Sequence, residues 1–302
     1  MSLGFHIHKE GRSFIEATEE ELKRAKQHGI DMKSFQIFAA GPRNSKINVT
    51  KEDAAYFKSL SEKGYRIIVH GSYLDHPWGA KAAYAIHIIK SEFKVCEEMG
   101  AYGMIIHLPK EPVDSVVEVI NNLVTFKPKN LILYLEVGSI NGGPNTYETP
   151  HKIKQLFDKL TSDSVGFCVD TAHLWSSGVD ISSRKKAQEW IDEFKKIGIK
   201  HVTIAINDQT TILGSGKDVH APLTYGHMFG KYNPNDGSEP LSHSGIAAML
   251  EWAVQDDIPV ILERHDDRPK FHGKPEINNI DSDLMIIRSM GFFKSKTDGI
   301  II

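Results

Sequence analysis

Two cysteines in 302 residues, Cys96 and Cys168, are too few for a disulfide framework and fit a reducing compartment. Each sits in an apolar pattern and is expected to be an inert core residue. No apolar stretch approaches the roughly 18 residues of a membrane-spanning helix, so no membrane contact is expected. The start, MSLGFHIHKEG, lacks a basic region followed by an apolar core, so no secretory signal is read there. The expected setting is intracellular, with cytoplasm and nucleus undistinguished, and the Asn48-Val49-Thr50 sequon reads as the start of a helix. A formal net charge of −3 speaks against a broad nucleic-acid footprint. Divalent ions bound on one face would reverse that sign, so charge decides nothing. There is no G-x-S-x-G elbow, and neither GSGK at Gly214 nor GHMFGK at Gly226 has P-loop spacing with a Ser or Thr after the lysine. No low-complexity segment and no Pro/Gly-rich linker divides the chain, which predicts a single domain over residues 1–302.

What recurs is a short apolar run followed by a helical stretch. Strands are expected at 5–8, 34–38, 66–70, 103–107, 131–136, 165–170, 201–206 and 260–263. Ser13 with Glu16 makes a capping box and Gly29 can stop that helix; Thr50 with Asp53 opens the next, and Gly64 closes it. Pro150 sits at a first helical position before Ile153, Leu156, Phe157 and Leu160, and Ala187, Trp190, Ile191 and Phe194 repeat that buried-face spacing before Gly198. Further helices fit 80–99, 113–126, 244–255 and 280–290, giving eight of each element. Near-continuous apolar strands suit a parallel sheet covered by helices, hence an α/β fold, a closed (β/α)8 barrel. An open doubly wound sheet would prefer a Gly-rich first turn, and KEGRS has one glycine. The segment 207–244 is mostly polar and turn-rich, a length that in a compact domain tends to be functional.

Five of the runs end in an acid or histidine: IIVH at His70, MIIH at His107, LILYLE at Glu136, GFCVD at Asp170 and VILE at Glu263. In a parallel barrel such strand ends converge on one face, where active sites sit. Asp170 is followed three residues later by His173, and Asp218 and His220 stand at alternate positions of a loop, able to chelate one ion. A lone histidine is more often an ordinary polar residue than a ligand, and Glu136 alone suits a buried acid paired with a barrel lysine or arginine. Taken jointly, crowded strand-end carboxylates repel and are costly to desolvate unless a cation binds them. The set predicts a divalent-metal centre.

These residues resemble endonuclease IV, the zinc-dependent apurinic/apyrimidinic endonucleases with a TIM-barrel fold. The likeness runs from GFHIH to the ILE ending at Glu263, and its most specific pieces are VHGSYL, the IIH at His107, the LE at Glu136, VDTAH, IND with GSGKDVH, and ILE. The resemblance implies three metal ions. His70, His107 and Glu136 would hold the first; Glu136, bridging, with Asp170 and Glu263 would contribute to the second; His173, Asp218 and His220 would hold the third. One ligand position departs. The family's strand seven ends His-Leu-Asn-Asp, and this chain reads Ala205-Ile206-Asn207-Asp208. A methyl group cannot ligate, so the second group keeps three carboxylates, which suit Mn²⁺ or Mg²⁺ better than Zn²⁺. His201 lies deeper on the same strand, which leaves His227 on the long loop as the candidate replacement. The loop is a second departure: the family's short Gly-rich turn becomes residues 226–244.

By the same resemblance, the expected partner is duplex DNA with abasic sites, cut on the 5′ side of the lesion, with Glu136 and Glu263 catalytic; no protein partner is inferred. Arg43, Tyr73 and Leu74 match side chains with which the family wedges the duplex open. Read alone, Arg43 is an ordinary surface arginine and Tyr73-Leu74 ordinary loop packing. His6 matches a histidine near the family's metals and equally suits the barrel floor. Two rivals stay open. A sugar isomerase or epimerase shares the barrel and one metal quartet, but needs a histidine at the position of Ala205 and has no use for His70, His107, Asp218 and His220 together. A catalytically inactive binder of damaged DNA is favoured by Ala205 and opposed by the eight retained ligands.

Overall fold

Each of the eight apolar runs hydrogen-bonds in parallel to its neighbours in the computed structural model, which describes residues 2–74, 77, 78, 82–140, 142–263 and 279–292. The barrel strands are β1 (Ser2–His6), β2 (Met32–Phe38), β3 (Arg66–His70), β4 (Gly103–His107), β5 (Ile132–Glu136), β6 (Val165–Asp170), β7 (Val202–Ala205) and, last in the chain, β10 (Pro259–Leu262). Their order, β1-β10-β7-β6-β5-β4-β3-β2, closes on itself. The two intervening strands, β8 (Asp208–Gln209) and β9 (His220–Ala221), pair only with each other, antiparallel, beyond the end of β7. The fold is the (β/α)8 barrel expected from the alternating elements, not an open sheet.

The covering helices are α1 (Phe14–Gln27), α2 (Lys51–Glu62), α3 (Ala82–Met99), α4 (Val113–Val124), α5 (Pro150–Phe157), α7 (Arg184–Lys195), α8 (Gly245–Gln255) and α9 (Asn279–Ser289), with a short α6 (Thr171–Ser176) directly after β6. The two capping boxes form as the residue spacing requires, Ser13 with Glu16 and Thr50 with Asp53. Gly29, Gly64 and Gly198 follow their helices at φ +68°, +86° and +78°, left-handed conformations that glycine adopts without strain. The helix read as 80–99 is described from Ala82; residues 80 and 81 lie outside the described residues. Helix α6 has no counterpart in the sequence reading, because six residues carry too little periodicity to register.

Alternation along the strands divides the apolar side chains into two layers. Ile67, Val69, Met104, Ile106, Leu133, Leu135, Phe167, Val169, Ile204, Val260 and Leu262 face outward into one large core with the helices. Ile68, Ile105, Ile132, Tyr134, Cys168, Ala205 and Ile261 face inward and form a separate plug inside the barrel. The Tyr134 ring lies flat between β4 and β6, where a Cβ on Gly103 would come within 2.5 Å of it and one on Gly166 within 2.8 Å. Both cysteines are buried and free, and burial pushes both thiols far up, which fits inert core residues.

The segment 207–244 packs its apolar residues into the large core. Met228, Phe229 and Tyr232 are buried, and one carboxylate anchors them: Asp208, fully enclosed, accepts N–H bonds from Gln209 (2.7 Å), Gly226 (2.9 Å), Met228 (3.1 Å) and Phe229 (3.2 Å). A Cβ at Gly226 would stand 2.4 Å from the Gln209 carbonyl oxygen and 2.5 Å from the Asp208 carboxylate, so only glycine lets the chain approach. Asp208→Ala leaves several buried N–H groups without an acceptor. Each such loss costs about 1–3 kcal/mol, so urea unfolding should show at least about 3 kcal/mol of destabilisation; a loss under about 1 kcal/mol would show that the anchor does not hold the segment.

Candidate metal centre

Side-chain parity carries the inward-facing plug up to the barrel mouth. Two residues past Ile68, Ile105, Tyr134, Cys168 and Ile261 stand His70, His107, Glu136, Asp170 and Glu263, on the same inward face of their strands. Register keeps them level: His107 pairs with Glu136, and Asp170 with Ala205. One turn into α6, His173 is placed by a cap, since Asp170 Oδ1 accepts the His173 backbone N–H at 2.7 Å. Asp218 and His220 enter from the β8–β9 hairpin, clamped to α6 by Ser176 Oγ donating to Lys217 O and Gly216 N–H donating to Ser176 O.

Three sets of donor atoms gather within 4.8 Å of one another: His70, His107 and Glu136; Glu136, Asp170 and Glu263; Asp170, His173 and His220. In the first, the Nε2 atoms of His70 and His107 lie 3.1 Å apart and 3.2 and 2.9 Å from Glu136 Oε2. In the third, Asp218 Oδ1 lies 3.3 Å from His173 Nε2 and 3.0 Å from His220 Nε2. The structure thus brings together all eight residues assigned as ligands from the sequence, and adds Asp170 to the third set. Three histidines are oriented from behind: Nδ1 of His70, His173 and His220 lies 2.8, 2.8 and 3.1 Å from the carbonyls of Gly71, Val137 and Glu263. A ring donating Nδ1–H to a carbonyl presents its Nε2 lone pair to the pocket, the arrangement of a metal-ligating histidine.

The electrostatics point the same way. Glu136, Asp170 and His173 are buried, and among the described residues every ion-pair partner of Glu136, Asp170, Asp218 and Glu263 is a histidine, with no lysine or arginine at all. Burial disfavours a charged His70, but its bond to Glu136 and the Glu263 charge outweigh that and push it up to about 9. For His220 burial is likewise overcome, by Asp170, Asp218 and Glu263, and the ring again rises to about 9. Glu136 is buried, yet His107, His70 and His173 hold it well below the usual carboxylate range. Burial, helped by Glu136 and Glu263, raises Asp170. Both Glu136 oxygens and the Nε2 atoms of His173 and His220 are buried, and among the described residues their polar neighbours are only the imidazoles and carboxylates of the cluster itself. Orphaned donors of this chemistry, crowded and short of positive charge, fit divalent cations.

Other assignments are placed as follows. His6 ends β1 at the mouth, not the floor, with Nδ1 3.7 Å from Glu263 Oε1. Ala205 faces the site beside Asp170, buried, and among the described residues no histidine substitutes for it: His227 is exposed and joins none of the three sets, while His201 lines a cavity with Arg66, Tyr102 and Lys200 at the other end of the barrel. Next to Ala205, Asn207 Nδ2 donates to Asp170 Oδ2 at 3.0 Å and Asn207 Oδ1 accepts the Glu263 N–H at 3.2 Å. The sequence reading missed this bracket, along with Gln36 and Asp208, because amides and acids with structural partners carry no pattern of their own. At the rim, Tyr73 stands edge-on to His70 and beside His107. Arg43 and Leu74 are exposed, and Tyr73 N–H donates to Pro42 O at 2.8 Å, tying the two loops that carry all three.

The chain matches the xylose isomerase-like TIM barrel family over residues 22–234. It is 36% identical over 248 residues to a probable AP endonuclease of African swine fever virus (isolate Tick/Malawi/Lil 20-1/1983), covering 79% of this chain and 81% of the viral protein. It is 30% identical over 283 residues to a putative endonuclease 4 of Acanthamoeba polyphaga mimivirus, covering 86% and 84%. The crystal structure of AsfvAP:AG superposes with a TM-score of 0.85 at 27% identity, over 96% of this chain and 98% of that one. Fold, strand-end donors and relatives agree: the chain belongs to the xylose isomerase-like TIM barrel family and, within it, to the AP endonucleases of the endonuclease IV type.

Proposed function

We propose that this chain is a metal-dependent endonuclease that cuts duplex DNA 5′ to abasic sites, leaving a 3′-hydroxyl and a 5′-deoxyribose phosphate. The observation that carries this is the cluster of eight donor side chains at the barrel mouth, whose acids, among the described residues, pair with histidines and with no lysine or arginine. That the relatives are named AP endonuclease and endonuclease 4 supplies the substrate. When bound, divalent ions at such a site ease the ionisation of a water and stabilise charge in an in-line phosphoryl displacement.

His70, His107 and Glu136 would hold one ion, Glu136, Asp170 and Glu263 a second, and His173, Asp218, His220 and Asp170 a third. Because Glu136 and Asp170 each belong to two sets, they fix the sets relative to one another. Glu136 and Glu263 hold and orient the attacking water in the shared space. Zn²⁺ suits the two histidine-bearing sets, and the all-carboxylate set suits Mn²⁺ or Mg²⁺.

Selectivity would come from the rim. A sugar without its base costs little to extrude. Leu74, 42% exposed, and Tyr73, edge-on to His70, would fill the gap in the base stack, and Arg43 on the tied neighbouring loop would meet the DNA backbone. A second reading, damage binding without cutting, rests on Ala205, whose methyl faces the site where its family carries a ligand.

Incubation with a duplex containing one tetrahydrofuran abasic analogue separates the readings. Nicking on the 5′ side with Zn²⁺, Mn²⁺ or Mg²⁺, abolished by chelation, is the expected result; tight binding without nicking under all three would establish the binder instead. Glu136→Gln should lower nicking by more than the ~10–100-fold that loss of an outer-shell partner costs. Ala205→His should raise both zinc content and nicking rate, and no change in either would refute the assignment of the second set. Because His70 and His220 hold protons up to about 9, loading the metal-stripped protein at neutral pH displaces them, and apparent affinity should rise with pH towards that value. Calorimetric zinc titration in two buffers of different ionisation enthalpy should give different heats; identical heats would show that no proton leaves.

A further inference from the structure

Glu263 is the one acid of the shared set whose strand, β10, does not adjoin the strands carrying the other two. What fixes its carboxylate comes from the opposite direction. Gln36, on β2 and buried at 1% exposure, reaches across β1 and donates from Nε2 to Glu263 Oε1 at 2.7 Å. The same Nε2 lies 3.0 Å from His6 Nδ1, so one amide nitrogen serves both groups with its two hydrogens. The Glu263 backbone is fixed separately, by the N–H bond to Asn207 Oδ1.

We propose that Gln36 is a positioning residue: its amide locks the Glu263 carboxylate into one orientation and thereby sets the geometry of the carboxylate set that Glu263 shares with Glu136 and Asp170. The inference rests on the reading of that set as a metal site. The physical case has three parts. An amide is a neutral donor, so it orients Glu263 without cancelling the charge a cation needs, which a lysine or arginine in that place would do. The amide is enclosed, so water cannot replace its bond at equal cost. It binds Oε1, the same oxygen that lies 3.7 Å from His6 Nδ1 and 3.9 Å from His70 Nε2, so the grip bears on the atom facing the histidines. Without it, the flexible Glu263 side chain would have to be ordered chiefly by the cation.

The test compares wild type, Gln36→Met and Gln36→Glu, all stripped of metal and then titrated with Mn²⁺, reading bound ions by electron paramagnetic resonance and affinity by chelator competition. Gln36→Met keeps the size and removes the donor. It should bind one Mn²⁺ ten- to a hundredfold more weakly, the usual effect of losing a partner behind a metal ligand, with an altered spectrum for that ion. Nicking of the abasic duplex should then show a lower kcat at unchanged KM. Gln36→Glu sets a carboxylate against Glu263 and should weaken the same ion at least as much. Wild-type affinity and spectrum in a folded Gln36→Met overturn the proposal while leaving the metal centre standing. Tighter binding by Gln36→Glu overturns it too, by showing position 36 to be close enough to ligate directly. Wild-type protein that binds no Mn²⁺ overturns this inference together with the reading it rests on.

Discussion

Carboxylates gathered at the closed end of a protein repel one another, and burial makes the repulsion worse because little water remains to screen it. Everything at this barrel mouth depends on that imbalance. Glu136, Asp170 and Glu263 bring oxygens within 4.8 Å of one another, with Asp218 one set further out, and histidines are the groups that answer them. The direction of the pKa shifts follows from it: His70, His173 and His220 are driven up, Glu136 is held down by three rings, and the enclosed Asp170 is pushed up because it is where negative charge is most expensive. A structural role would place a lysine or arginine here, as at the Lys152–Glu148 pair on the outside of the same barrel. Imidazoles oriented by backbone carbonyls through Nδ1 turn Nε2 inward, and a cation that displaces the Nε2 proton takes its lone pair.

The barrel makes this arrangement accessible to an ordinary sequence. A strand sends alternate residues inward, so an apolar residue in the plug and a ligand two positions later need only a short run such as Ile-Ile-Val-His. Five strands repeat the pattern, and closure of the sheet does the rest, converging residues separated by almost two hundred positions. The same alternation explains why Tyr134 needs Gly103 and Gly166 beside it: the plug under the site has to be filled to keep water from the underside of the carboxylates, and the ring fits only where its neighbours have no side chain.

Legibility in the sequence follows from how local the cause is. Strand ends at His70, His107 and Asp170 and the two capping boxes were readable to the residue, because a few consecutive side chains specify each. Convergence of the ligands was readable only through the closed fold. Helix α6 was not readable, although it seats His173 by making Asp170 a cap as well as a site acid. Nor was the order in the segment 207–244, where a polar composition conceals Met228, Phe229 and Tyr232 packed under the hairpin and held by Asp208. Gln36 left no trace, since its importance lies in a contact with a residue 227 positions away.

Ala205 is where these threads meet. Its methyl stands level with Asp170, at the point where the family carries an imidazole, and the exposed His227 and the distant His201 do not replace it. Without a neutral ligand among them, the three carboxylates of the shared set depend for their orientation on hydrogen bonds from outside the set. Two neutral amides supply three such bonds: Asn207 donates to the Asp170 carboxylate and accepts the Glu263 backbone N–H, and Gln36 donates to the Glu263 carboxylate. Neutral donors fix direction while preserving charge. On the proposed reading of that set as a metal site, three carboxylates suit a harder, oxygen-preferring cation, and the departure at position 205 would change which metal the centre selects rather than remove the centre.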